Sequence, residues 1–179
     1  RFWWMCRWVG HLNCGILNGG INAWNKENFE LESGFKEKKN NGNLSVRPTL
    51  TTEWDIESIK SWVKNGSDHE ICTLIDARSQ DRFNGEIEPI DPKAGHIPGA
   101  LNRPFTKNLE VDGRFKSPQK LRDEFLTLLV NNCATSVVHT CGSGISACHN
   151  LVAMESAGLG GSSLFVGSWS QWCYQGIEE

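Results

Sequence analysis

The run Val137-Val-His-Thr-Cys141-Gly-Ser-Gly-Ile-Ser-Ala147-Cys148 constrains the fold more than any other part of the sequence. A short apolar, β-branched stretch leads into a loop of small residues and then into a helix-forming segment. That order belongs to parallel α/β sheets. The flanking chain keeps it. Thr51-Thr52-Glu53 predicts the cap of a helix carrying Trp54, Ile56, Ile59, Trp62 and Val63 at helical spacing. Ile71–Ile75 reads as a strand ending at Asp76, and Ala100-Leu-Asn102 as a weaker one. Ser117-Pro118 opens a helix with Leu121, Phe125, Leu128 and Leu129 on one face. Strand 136–139, helix 147–157 and strand 164–166 follow. The expected fold is α/β, a largely parallel sheet flanked by helices.

The first 35 residues carry a smaller pattern. Residues 1–9 read as the end of a helix stopped at Gly10, Cys14–Leu17 as a short buried strand, and Ile21–Trp24 as a final helical turn after Asn18-Gly-Gly. Sliding the chain by 148 positions lays Gly10 on Gly158, Gly19 on Gly167 and Trp24 on Trp172, with the elements in the same order. Residues 1–35 are therefore expected to be the tail of an earlier copy of the domain at 48–179. Residues 36–47, rich in Lys and Asn without an apolar period, form the linker between them. With Arg1 in place of an initiator, the expectation is a two-domain protein lacking most of its first domain.

Composition excludes several functions. Lys and Arg number 18 against 21 Asp and Glu, which argues against a nucleic-acid partner held by a basic face. No stretch approaches the ~18 apolar residues of a membrane span, so no membrane partner is expected. The seven cysteines are odd in number, widely spaced and never Cys-x-x-Cys, unlike a disulfide framework or a structural zinc site. Free thiols fit a reducing compartment, the cytoplasm or the mitochondrial matrix.

Cys141 ends an apolar strand, and Gly142 and Gly144 let the following backbone curl. Curled N–H groups and a helix N-terminus both favour a thiolate, the species nucleophilic catalysis requires. A buried cysteine beside an ordinary helix start is the alternative reading. A cysteine phosphatase needs Arg at the sixth residue after the nucleophile, where this chain has Ala147, and a Gly-x-Ser-x-Gly elbow is absent. A second constellation, Leu74-Ile-Asp76-Ala-Arg78-Ser-Gln-Asp-Arg82-Phe, lies at the carboxyl end of an expected strand, where open α/β sheets bind ligands. Arg78 and Arg82, four apart, can reach one anion from a helical turn, or else form a surface ion-pair cluster with Asp76, Asp81 and Glu86.

In these positions the sequence resembles the rhodanese family of sulfurtransferases. Asp76-Ala-Arg78, Arg82-Phe, Gly95-His-Ile-Pro-Gly-Ala-Leu-Asn102, Cys141-Gly-Ser-Gly-Ile-Ser-Ala147 and Gly167-Ser-Trp169-x-x-Trp172 stand in family order. Phe-Trp-Trp-Met, Gly-His, Asn-Gly-Gly and Ala-Trp within residues 1–24 are similar to the tail of the family's catalytically silent first domain. The Cys-Gly-Ser-Gly loop looks like the 3-mercaptopyruvate branch, with Ile145-Ser146 replacing the more usual Val-Thr. The resemblance implies that Cys141 takes sulfur from mercaptopyruvate, or less readily thiosulfate, as a persulfide, and passes it to a thiol such as thioredoxin or to cyanide. It implies that backbone N–H groups of Gly142, Ser143, Gly144, Ile145 and Ser146 hold the anion. Ser143 would bind substrate or relay a proton, and Arg82, with Arg78, would pair with the substrate carboxylate. It implies no cofactor and no metal, a structural turn at His96 and a core role for Cys148. A non-catalytic or persulfide-carrier module is the alternative, since the family's site lies between two domains.

Overall fold

The computed structural model describes residues 1–35, 42–130 and 132–177. Five strands, β1 (Glu53–Trp54), β2 (Thr73–Asp76), β3 (Leu101–Asn102), β4 (Val137–Thr140) and β5 (Ser163–Phe165), form one sheet in the order β1-β5-β4-β2-β3. Every pairing is parallel, so the expected α/β class holds. β2, β4 and β5 are buried along their whole length, as central parallel strands are when helices cover both faces.

Helices α3 (Ile56–Lys64) and α7 (Ser168–Gln175) enclose one face, where Ile59, Trp62, Leu74, Val138, Phe165, Trp169 and Trp172 pack together. On the other face α5 (Pro118–Leu129) and α6 (Ala147–Ser156) bring Leu121, Phe125, Leu129 and Met154 against Ile75 and Val137. A third cluster joins Trp4 of α1 (Phe2–Trp8) to Ala77, Cys141, Cys148 and Leu164. A short helix, α2 (Gly20–Lys26), follows α1, and α4 (Gln80–Phe83) lies between β2 and β3.

Two local expectations need correction. Glu53–Trp54 is an edge strand, and Asp55, whose carboxylate takes the Ser58 N–H at 2.8 Å, caps α3 in place of Thr51 or Thr52. Cys14–Leu17 forms no strand; Ile16 and Leu17 are exposed, with no neighbouring strand to supply hydrogen bonds. Trp24 lies against Phe29 with the rings tilted and their centroids 4.7 Å apart.

Part of the 148-residue match is nonetheless visible in the backbone. Gly10 and Gly158, each just beyond a helix, hold φ +76 and +69. Gly20 and Ser168, each opening a helix, hold φ +59 and +51. Residues 1–35 are bound to the larger unit by Phe115 N–H to Asn18 Oδ1 at 2.7 Å and by the Arg114–Glu27 ion pair at 2.8 Å. The expected linker at 36–47 falls in part on residues 36–41, outside the described residues; residues 42–47 are exposed.

Candidate active site

β2 and β4 are neighbours in register, Asp76 beside Thr140, so the segments leaving their carboxyl ends meet. The β4 segment is the loop 141–146. Trp169 N–H donates to the Cys141 carbonyl at 2.9 Å and Ser170 N–H to the Gly142 carbonyl at 2.8 Å, so the first turn of α7 holds the loop's carbonyls. Cys141 N–H donates to Ser168 Oγ at 3.1 Å, and that hydroxyl donates to the Phe165 carbonyl at 2.9 Å. Gly144 sits at φ +69, where any Cβ would strike the Val166 carbonyl. The N–H groups of Gly142 through Ser146 donate to no acceptor among the described residues.

A pocket of about 170 Å³ opens over the loop. Its walls are Arg82, Ile90, Asp91, Cys141, Gly142, Ser143, Ile145, Ser146 and Ser170. Cys141 is nearly inaccessible, at 1% exposure, whereas Ser143 and Ile145 are open to solvent. Arg1 closes the outer side of the loop, with Nη2 on the Ser143 carbonyl at 3.1 Å.

The two arginines separate. Arg82, on α4, lies over the loop: a Cβ on Gly142 would stand 3.6 Å from its Nη2. Its Nη2 is 2.6 Å from Glu88 Oε1 and 3.5 Å from Asp91 Oδ2. Arg78 precedes α4, is 3% exposed, and does not line the pocket. Its Nη2 bonds Asp76 Oδ2 and the Gly95 carbonyl, each at 2.7 Å, and its Nη1 bonds Glu88 Oε2 at 3.2 Å. The expected single helical turn carrying both arginines is therefore corrected: Arg78 stands before α4, with its guanidinium taken up by Asp76, Glu88 and the Gly95 carbonyl. The alternative, a surface ion-pair cluster, is also amended: Asp76 is a partner, but the cluster is buried and Glu88 replaces Glu86.

Glu88 serves both guanidinium groups. Burial alone would raise its pKa, but the Arg82 hydrogen bond and the N–H groups of Asp91 and Ile90 outweigh that and hold it below the ordinary carboxylate value. Sequence reading missed Glu88, Asp91, Ser168 and Ser170. The two acids stand in Glu86-Ile-Glu-Pro-Ile-Asp-Pro, which has no periodicity to reveal that they turn inward. Ser168 lay within the Gly-Ser-Trp motif without a role assigned to it.

The remaining singled-out residues fall outside the pocket. His96 stacks on Phe83 at 3.8 Å and its Nδ1 lies 2.8 Å from the Phe83 carbonyl. Cys148 is buried on α6, 3.4 Å from the Gly144 carbonyl, and burial pushes its thiol up. No group of three or more metal-ligating side chains occurs among the described residues.

Residues 58–175 match the family of the rhodanese-like domain. The chain belongs to the rhodanese family. Its similarity to rhodanese proteins extends past that match. A probable 3-mercaptopyruvate sulfurtransferase of Pseudomonas aeruginosa is 39% identical over 173 residues, 96% of this chain and 59% of that protein. Human 3-mercaptopyruvate sulfurtransferase is 35% identical over 176 residues, again 96% of this chain but 57% of the relative. Bovine thiosulfate sulfurtransferase is 32% identical across 100% of the chain and 59% of its own length. Among rhodanese structures, the 3-mercaptopyruvate sulfotransferase SseA of Escherichia coli superimposes with TM-score 0.76 at 29% identity, over 95% of this chain and 62% of that one. The chain thus spans about three-fifths of the length of these curated relatives.

Proposed function

We propose that the chain carries the catalytic unit of a sulfurtransferase whose donor is 3-mercaptopyruvate, with thiosulfate a poorer alternative. The observation that carries this reading is the placement of Cys141 in a pocket with Arg82 and a loop whose N–H groups have no protein acceptor. The Cys141 thiolate attacks the donor sulfur and forms an S–S bond. The C–S bond breaks, its electron pair passes to carbon, and protonation of the resulting enolate gives pyruvate. The persulfide on Cys141 is the anion that the N–H groups of Gly142–Ser146 stabilise. Arg82 pairs with the donor carboxylate through its planar fork. A second thiolate, thioredoxin being a suitable acceptor, then takes the outer sulfur and restores Cys141.

Arg78 acts in this reading as a positioning residue, fixing Glu88 and through it Arg82. Residues 1–35 are read as the tail of a preceding rhodanese domain and 48–179 as the catalytic one, on the strength of the paired left-handed positions Gly10/Gly158 and Gly20/Ser168. The free cysteines suit the cytoplasm or the mitochondrial matrix, and no helix among the described residues is long and apolar enough to cross a membrane. The test is pyruvate release from mercaptopyruvate with cyanide as acceptor. Cys141→Ser is expected to abolish it and Cys148→Ser to retain most of it; undiminished turnover in Cys141→Ser overturns the assignment.

A further inference from the structure

Arg82 meets more negative charge in its pocket than it can neutralise. Glu88 already holds Nη2 at 2.6 Å, and Asp91 lies 3.5 Å from the same nitrogen. Of the two acids, Asp91 lines the pocket. Its side chain is 5% exposed and it is tied in place: Ser170 Oγ donates to Oδ1 at 2.6 Å, while Ser170 N–H holds the Gly142 carbonyl at 2.8 Å. Oδ2 is buried with no hydrogen-bond partner among the described residues, and a Cβ on Gly142 would stand 3.9 Å from it. A carboxylate oxygen that receives no hydrogen bond among the described residues, and is balanced only by the Arg82 ion pair at 3.5 Å, thus faces the place where a donor's anionic group must sit to reach Arg82.

We propose that Asp91 is a specificity-determining residue, competing with the donor's anionic group for Arg82 and disfavouring a second negative charge. The inference rests on the sulfur-transfer reading above and names a residue that sets its donor preference. A monoanionic 2-oxo acid bearing a thiol displaces part of the Asp91–Arg82 interaction and is accepted. A dianion such as thiosulfate makes the same displacement and also places extra charge against Oδ2 in a half-enclosed pocket, where repulsion between unit charges is poorly screened. Ser170 prevents Asp91 from swinging away to relieve it.

The test is Asp91→Asn in the 179-residue chain, which keeps the side-chain shape and the acceptor for Ser170 while removing the charge. With cyanide as acceptor, kcat/KM for thiosulfate is expected to rise about tenfold and that for mercaptopyruvate about twofold, mainly through KM. Asp91→Glu keeps the charge and the wild-type donor ratio. Equal changes for both donors, or no change in a variant that melts like wild type, overturn the proposal. Equilibrium titration of Cys141→Ser and Cys141→Ser/Asp91→Asn with pyruvate and with sulfate separates this inference from the reading it rests on. Asp91→Asn is expected to tighten sulfate about tenfold and pyruvate about twofold even if neither donor is turned over. Equal tightening of the two anions, or none, overturns it.

Discussion

Cys141 and Ser168 are joined across the carboxyl end of the sheet: the cysteine's backbone N–H donates to Ser168 Oγ at 3.1 Å, and that hydroxyl donates to the Phe165 carbonyl at 2.9 Å. One side chain, fully buried and at φ +51, thereby fixes where the β4 chain turns into its loop relative to β5. Ser168→Ala leaves a buried N–H and a buried carbonyl without this partner, at a cost of about 1–3 kcal/mol. The expected fall in Tm is roughly 2–4 °C for each of those kcal/mol. Thermal melting checks it, and an unchanged Tm would show that the bridge contributes nothing.

The two arginines are expected to fail differently. Arg82→Ala should raise KM for mercaptopyruvate about tenfold or more, equivalent to about 1.4 kcal/mol, with a smaller effect on Tm because Arg82 is partly exposed. Arg78→Ala strands Asp76 as a buried charge and takes away one of Glu88's two guanidinium partners, a loss of about 3–5 kcal/mol. It should therefore appear in denaturant unfolding before any kinetic change is measurable. Matched KM effects and matched midpoints for the two variants would contradict this division.

This pair also marks how far the sequence could be read. The strand–loop–helix run at 137–148 and the apolar face of α5 identify their elements because burial imposes a local period. The four-residue spacing of Arg78 and Arg82 suggested a shared helical turn, but Ser79 ends the extended segment between them and α4 begins only at Gln80. Asp91 and Ser170 come together from 79 positions apart. Only the tertiary fold brings such residues together, and no local pattern encodes them. Cys14–Leu17 failed for the converse reason: its composition suits a strand, but a strand also needs a neighbour.

His139 makes stability depend on pH. It is fully buried on β4 with both ring nitrogens unpartnered among the described residues, and burial, aided by Arg103, holds its pKa down to about 3 from the ordinary 6.5. Between those values the unfolded chain binds a proton that the folded chain does not, so stability rises with pH there. The contribution is complete above pH 6.5 and is lost as pH falls towards 3. Glu88 and Glu124, also held low by their partners, add their own acid losses. The comparison of wild type with His139→Leu isolates the histidine, and the variant's Tm should fall less steeply from pH 6.5 to pH 4. Parallel curves would contradict the assignment.

Gly144→Ala tests the loop's shape directly. A Cβ there meets the Val166 carbonyl in a backbone region that alanine disfavours by about 1–2 kcal/mol. Turnover is expected to fall by about tenfold or more. Gly142→Ala, whose Cβ meets nothing closer than the Arg82 guanidinium at 3.6 Å, should cost less. An order reversed between the two variants would mean that the left-handed turn is not what positions Cys141.

Sulfur transfer through Cys141 is read most directly from the persulfide itself. The direct measurement is the intact mass of the protein after brief exposure to mercaptopyruvate without an acceptor, followed by peptide mapping. A mass gain of one sulfur atom on Cys141 is expected, reversed by added thiol and absent from Cys141→Ser. A gain that persists in Cys141→Ser, or a folded wild-type chain that gains none, would contradict it.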